Sequence, residues 1–375
     1  MKLSFLDPLY ASPGPYASVY LDTSGDIGDP EKAIELRWRH VRDDLTGQGA
    51  DAATIQALAE AMGGDAARPG RHGQALFAAR GRLLLVAELP EPPAREVARF
   101  GPLPEAMPLV FQRAPDIPYA AVVIQRPGPE EIAAGPGELH VELEIGRWPT
   151  SRVTPGPRVR RFFPPQTWRE GASQVVDDLA DRSAGHPPPD VVVVCGPVEE
   201  RGILVNQLPA ALRPHVIALD PGTEGTDEEA TDPGQALLER RLSARFRDRL
   251  SARDATQTDL FLAQRARAPG ESEGIVATVG ALQRAQARAL LVNPSADLTV
   301  RLWIGAEPTE IGLAAAELAQ FGVRSAEERT AGAALLRAAA RTGAELVVVP
   351  EEKFTMDGRL GVLLRYTEPR EERAP

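Results

Sequence analysis

The chain has 375 residues, 43% hydrophobic and 25% charged, an ordinary globular composition that excludes a wholly disordered or collagen-like chain. At about one to two hundred residues per folding unit, this length divides into two or three domains. A formal net charge of −11, from 53 acidic and 42 basic residues, argues against indiscriminate wrapping of nucleic acid, because the overall field opposes phosphate, and leaves room for local basic patches.

From the N-terminus, Asp7 and Pro8 interrupt the chain before any long apolar run develops, so it does not read as a secretory signal. Apolar runs elsewhere fall short of the roughly 20 residues a membrane span needs, and the expected location is the cytoplasm. Residues 16–21 alternate as a strand ending at Asp22-Thr23-Ser24-Gly25. A helix follows, with Pro30 at its first turn and Ile34, Trp38, Val41 and Leu45 at helical spacing. A second helix is expected over 52–62, then a hairpin of 74–79 with 83–89 turning at Arg80-Gly81-Arg82. The proline-rich stretch 101–118 reads as the first boundary.

The pattern restarts with a strand over 120–125 and another over 138–145. Leu139, Val141, Leu143 and Ile145 face the core there, leaving His140, Glu142 and Glu144 on the opposite face. An imidazole between two carboxylates could hold a metal, but a solvated strand face is the expected reading. A helix over 166–179, a strand over 190–195, a helix over 205–212 and a strand over 216–219 give this region α/β character. Cys195, the only cysteine, ends a run of four valines and reads as an inert core thiol; intrachain disulfides and cysteine zinc sites are excluded.

Residues 220–231 form an acidic linker, followed by a long helix over 235–253 carrying Arg240, Arg241, Arg245, Arg247, Arg249 and Arg253, with Leu238, Leu242, Phe246 and Leu250 on its packing side. After a helix over 256–267, Ala268-Pro269-Gly270-Glu271 marks the second boundary. The last part alternates again: helix 274–287, strand 289–293, helices 309–321 and 326–341, and strands 345–349 and 361–366. The fold class is α/β, in domains 1–115, 116–268 (including the basic helix) and 269–375. No repeat of 20–50 residues marks a solenoid.

The chain shows no Walker glycine loop, His-Glu-x-x-His, Gly-x-Ser-x-Gly elbow or dinucleotide fingerprint. Its five histidines are dispersed without ligand spacing and read as structural. No cofactor is expected. One segment stands out: Arg147-Trp148, Arg152, and then Arg158, Arg160, Arg161, Phe162, Phe163, Gln166, Trp168 and Arg169. Guanidinium groups grip phosphate while Phe and Trp stack on bases, so this set is the expected RNA contact. The competing reading is a connector whose aromatics pack onto their own domain while the arginines stay solvated.

The segments Gly14 to Asp22, Gly73 to Phe77 and Asp116 to Val123 resemble the bacterial relatives of the archaeo-eukaryotic class-one release factors. Residues 330–366 are similar to the terminal domain of those factors and of Pelota. The nearest subgroup looks like the actinobacterial relatives of the hibernation factor Balon. The resemblance implies three domains: an α/β N-terminal domain, a ribonuclease-H-like middle domain and an L7Ae/L30e-like α/β/α C-terminal domain. It also implies binding to ribosomal RNA at the aminoacyl site, with elongation factor Tu as a partner in the Balon group.

Hydrolytic members of that family carry Gly-Gly-Gln in the middle domain. In this chain the corresponding region is 155–169, where Gln166 follows Pro164-Pro165. Proline fixes φ and removes an amide donor, so the loop cannot copy a glycine pair. The expected function is a non-enzymatic ribosome-binding factor that occupies the aminoacyl site in stress or dormancy. The alternatives are a peptidyl-tRNA hydrolase or rescue factor using Gln166 as its catalytic residue, and an acidic protein-binding scaffold.

Overall fold

A computed structural model describes residues 1–25, 29–64, 70–127, 137–183, 188–220, 242–243, 245–246, 249–268 and 270–366. The chain forms two compact units, Met1–Pro115 together with Arg253–Pro375, and Asp116–Ala252.

In the first unit, strands β1 (Tyr16–Asp22), β2 (Gly73–Ala79), β3 (Arg82–Leu89) and β4 (Val97–Gly101) form an antiparallel sheet in the order β3-β2-β1-β4. The hairpin turns at Arg80 and Gly81, both at positive φ, which matches the tight turn that suits strand twist. The helix Pro30–Gly47 is capped by Asp29, whose carboxylate accepts from the Lys32 amide, and buries Ile34, Trp38, Val41 and Leu45. Trp38, Val41 and Leu45 of that stripe pack on one face of β1 and β2, against Val19 and Leu76. The stretch 101–118 contains a helix, Met107–Arg113, whose Leu109 and Val110 are wholly buried.

The second unit is a five-stranded sheet of β5 (Ile117–Gln125), β6 (Leu139–Trp148), β7 (Arg158–Phe163), β8 (Val191–Cys195) and β9 (Val216–Leu219). Its order is β7-β6-β5-β8-β9, antiparallel from β5 through β7 and parallel from β5 through β9. The valine run of β8 is buried throughout because it lies between two parallel neighbours. The helices Trp168–Ser183 and Val198–Gln207 supply apolar side chains to one face, while Leu242 and Phe246 join the cluster on the other with Tyr119 and Trp148. Cys195 is buried in that second cluster. Leu242, Ser243, Arg245 and Phe246 are helical; Arg240, Arg241, Arg247 and Leu238 of the expected basic helix lie outside the described residues.

The remaining strands belong to the first unit: β10 (Ala287–Val292), β11 (Arg301–Ile304), β12 (Ile311–Gly312), β13 (Glu327–Thr330), β14 (Glu345–Val348) and β15 (Leu360–Leu364). They form two small sheets, β14-β10-β15 and β12-β11-β13. The helices Ala252–Arg267, Gly274–Gln283 and Ala331–Thr342 accompany them. Two helical expectations are corrected here. Residues 309–321 hold the short strand β12 and only then a helix, Ala315–Gln320, and residues 326–330 are the strand β13 preceding the helix Ala331–Thr342. In both places cross-strand pairing to β11 claims the residues just ahead of the alanine-rich stretch, and the helix begins only where the alanines do. Leu6, Leu9 and Phe77 share one apolar cluster with Leu290, Leu335 and Leu346, so the two ends of the chain build a common core.

The largest departure from the sequence reading is β7, because Arg158–Phe163 is an edge strand rather than a connector. It is preceded by Gly156, where a Cβ atom would stand 1.7 Å from the Ile145 carbonyl oxygen. Replacing Gly156 with Ala therefore forces backbone apart and should cost roughly 3 kcal/mol or more, read as a lowered urea midpoint; an unchanged midpoint would contradict so close a packing of the two backbones.

Candidate nucleic-acid interface

The pairing of β6 with β7 sets Glu144 opposite Arg158, Glu142 opposite Arg160 and His140 opposite Phe162. Directly opposed side chains on one sheet face interact, and here they are complementary. Arg158 donates from Nε to Glu144 at 2.9 Å and lies 3.7 Å from Glu142, which is also 3.7 Å from Arg160. The His140 and Phe162 rings meet edge-on at 4.9 Å. The face expected to be solvated is thus partly closed, with Glu144 only 7% exposed. Glu144 also accepts from the Tyr119 hydroxyl at 2.8 Å, which in turn contacts Ser151 at 2.9 Å. Burial, reinforced by the Glu144 charge, pushes the Tyr119 phenol above its usual range. Among the described residues no cluster of three His, Cys, Asp or Glu side chains could hold a metal ion.

The other face of β7 packs on the helix Trp168–Ser183. Arg161 makes a two-pronged pair with Asp178, both bonds 3.0 Å, which holds its guanidinium above the ordinary value. Phe163 is buried against Trp168, with ring centroids 5.7 Å apart. Trp168 donates its indole N–H to the Glu200 carbonyl at 2.9 Å. The Glu200 side chain is gripped by Arg126 at 2.7 and 3.0 Å. Burial alone would raise the Glu200 carboxyl, but hydrogen bonds from Arg126 and from a backbone amide, with the arginine's charge, hold it below the usual range.

Between these anchors, Pro164 lies at φ −56° and Pro165–Thr167 form a single 3-10 turn closed by the Thr167 amide on the Pro164 carbonyl at 3.0 Å. Gln166 is exposed on this turn. Of the residues expected to contact RNA, Arg160, Arg161, Phe162, Gln166 and Arg169 are exposed, and Phe162 is 55% so. Phe163 and Trp168 are core, and Arg158 is an inner ion-pair partner. Trp148 is also core, Arg147 clasps Asp116 with both bonds at 2.7 Å, and Arg152 lies over the Trp148 ring. The carboxylates that decide these roles, Glu142, Glu144, Asp178 and Glu200, were missed as partners from sequence. The signal was present: acidic residues at 142 and 144 and basic ones at 158 and 160 alternate with apolar residues at the same period.

Comparison with known proteins bears on the same region. Residues 118–267 match the model of the bacterial archaeo-eukaryotic release factor family 2. The protein Rv2629 of Mycobacterium tuberculosis (strain H37Rv) is 28% identical over 374 residues, 98% of this chain and 97% of its own. Among solved structures, Saccharomyces cerevisiae Dom34, a translation termination-like factor involved in RNA quality control, aligns with 97% of this chain and 93% of its own at 11% identity and a TM-score of 0.36. Archaeoglobus fulgidus Pelota aligns over 79% of each chain at 13% identity and a TM-score of 0.35. The middle of the chain is release-factor-like in sequence.

Two outcomes follow from the pairing scheme. Arg158→Ala leaves Glu144 buried beside Tyr119 without its cation and should cost roughly 2–4 kcal/mol in chemical denaturation, whereas Arg160→Ala should stay within about 0.5 kcal/mol. Because the folded Glu200 carboxyl is depressed, its contribution is complete above the unfolded value of about 4.3 and lost as pH falls through the folded value. Denaturation series from pH 7 down to about 3 should therefore show a shallower acid limb in Arg126→Gln than in the parent chain.

Proposed function

We propose that the chain is a ribosome-binding translation factor that occupies the aminoacyl site in stress or dormancy without releasing the nascent peptide. The observation that carries this reading is the turn ahead of Gln166. Two consecutive prolines, Pro164 and Pro165, enter a closed 3-10 turn, so neither position offers an amide donor and both have φ fixed. A glutamine that positions water on an ester needs pliable backbone before it, which glycine supplies and proline denies. The release-factor-like match over 118–267 supports placing this turn where hydrolytic relatives carry their glycine-glutamine loop.

The strand order β7-β6-β5-β8-β9, three antiparallel strands followed by two parallel ones, supports a ribonuclease-H-like middle domain. Within the proposed three-part division, 1–115, 116–268 and 269–375, the last part is the L7Ae/L30e-like domain. Arg160, Arg161, Phe162, Gln166 and Arg169 would contact ribosomal RNA, held in place by Arg158, Phe163 and Trp168. Elongation factor Tu is the proposed protein partner, the cytoplasm the proposed location, and kinship with the Balon relatives the proposed subgroup. Among the described residues no helix is long and apolar enough to cross a membrane.

The chain should co-sediment with ribosomes from stationary-phase cells at physiological salt, and Arg160→Gln with Arg169→Gln should weaken this and flatten its salt dependence. In a purified translation mixture, release from stalled peptidyl-tRNA should equal spontaneous hydrolysis for both the parent chain and Gln166→Ala. Ribosome-free protein in the first assay would defeat the binding reading, and glutamine-dependent release in the second would make the chain a peptidyl-tRNA hydrolase.

A further inference from the structure

We propose that the free α-amino group of Met1 is a structural requirement of this chain, so that a formyl group carried over from initiation has to be hydrolysed off before Met1 docks. This goes beyond the ribosome reading and does not rest on it.

The Met1 ammonium lies 2.7 Å from a carboxylate oxygen of Asp254, and each group is only 2% exposed. Asp254 stands in the first turn of the helix Ala252–Arg267. The ammonium also donates to the Leu346 carbonyl, while the Leu346 amide donates to the Met1 carbonyl at 3.0 Å. Met1 and Leu346 thus exchange both backbone bonds, as a hydrogen-bonded antiparallel pair does. Leu346 is a wholly buried residue of β14, and the side chains of Met1, Leu3, Leu6 and Leu9 enter the same apolar cluster. A neighbouring carboxylate feels the same cation. Burial alone would raise the Glu345 carboxyl, but hydrogen bonding and charge from Arg253, followed by the charge of Met1, hold it below the usual range.

Buried charges are tolerated as pairs, and removing one partner leaves the other stranded. An ammonium offers three N–H donors and a unit charge, whereas a formylated nitrogen keeps one N–H and no charge. That single donor cannot serve both Asp254 and the Leu346 carbonyl, and Asp254 would lose the cation it faces. Trimming Met1 is no substitute, because it deletes a core side chain and shifts the ammonium about 3.8 Å along the chain.

The required reaction is hydrolysis of a formamide. The oxygen of water bonds to the formyl carbon, the carbon–nitrogen bond breaks, formate leaves, and the nitrogen takes up both protons of the water to become the ammonium. A nitrogen buried this deeply is closed to an enzyme, so the hydrolase has to act on the nascent or unfolded chain. Asp254 and Leu346 lie 253 and 345 positions downstream of Met1. At about 5–20 residues per second, that separation leaves the nitrogen undocked for on the order of ten seconds or more during synthesis.

The test compares the full chain bearing a free Met1 with the full chain still formylated, made in cells whose deformylase is inhibited and checked by intact mass. In urea denaturation the formyl group should lower the folded-to-unfolded ratio roughly a hundredfold or more. In an Asp254→Asn background, which has no buried carboxylate to strand, the same group should lower it by less than about tenfold. A formylated chain as stable as the free one overturns the proposal, and so does an equal loss in both backgrounds, which would make the effect steric. Where the formyl group prevents the parent chain from folding, Asp254→Asn should restore folding to the formylated chain, and failure to do so counts against the proposal. Labelling gives a readout without substitution: a soluble acylating reagent should modify the Met1 amine at least about tenfold more slowly in the folded chain than in urea. Equal rates would overturn the docking of that amine.

Discussion

The structure of the middle unit depends on guanidinium groups finding carboxylates within the same chain. Glu142 and Glu144 on β6 face Arg158 and Arg160 on β7, and Asp178 meets Arg161 from the helix behind. Without those acids, a segment with three arginines in four residues would have no reason to add itself to a sheet edge, since like charges on adjacent positions repel. With them, it becomes the last strand, and its charge also discourages another chain from pairing with that edge. The buried member of the set, Glu144, is tolerated because Arg158 and the Tyr119 hydroxyl both address it, leaving little of its charge unmet.

That arrangement determines what the exposed turn can be. The turn carrying Gln166 is tied on one side through Phe163 at the end of β7 and on the other through Trp168, whose indole bonds to the Glu200 carbonyl. Arg126 then holds Glu200 from the end of β5. The path from Arg126 through Glu200 and Trp168 is a chain of short polar contacts and one aromatic packing contact. A turn fixed at both ends and stiffened by two prolines presents its side chains in one arrangement. Side chains held in one arrangement lose little further freedom when a partner binds them.

Much of the architecture was legible because periodicity survives wherever one face is buried and the other is wet. Ile34, Trp38, Val41 and Leu45 were readable as a helical stripe, and the 74–89 hairpin announced itself through Gly81. The alternation of 139–145 gave β6 and its inward side chains correctly. Reading failed where a polar pattern had to be matched with a distant one. Arg-Val-Arg-Arg-Phe-Phe is as plausible in a loop as in a strand until its partner, Val-Glu-Leu-Glu, is set beside it. The strands β12 and β13 were hidden for the same reason, being short and stabilised by β11 rather than by their own residues. At the candidate site, the residue types were visible, but which arginines remained available was not. Availability depends on ion pairs with acids distant in the chain, 17 positions for Arg161 and Asp178 and 74 for Arg126 and Glu200.

A chain with a net charge of −11 approaching a polyanion receives no long-range steering, and at physiological salt the field of its own surface is screened within about 8 Å. Attraction must then come from cations that stay uncompensated close to the contact. Internal pairing with Glu144 and Glu200 removes Arg158 and Arg126 from that pool, so the exposed Arg160, Arg161 and Arg169 are worth more individually than their number suggests. Encounter under these conditions is slow unless something else brings the two surfaces together. For a factor that acts on the ribosome, that requirement gives a physical reason for a carrier such as the elongation factor proposed above. The carrier would supply proximity, leaving only short-range recognition to the exposed turn and its neighbouring arginines.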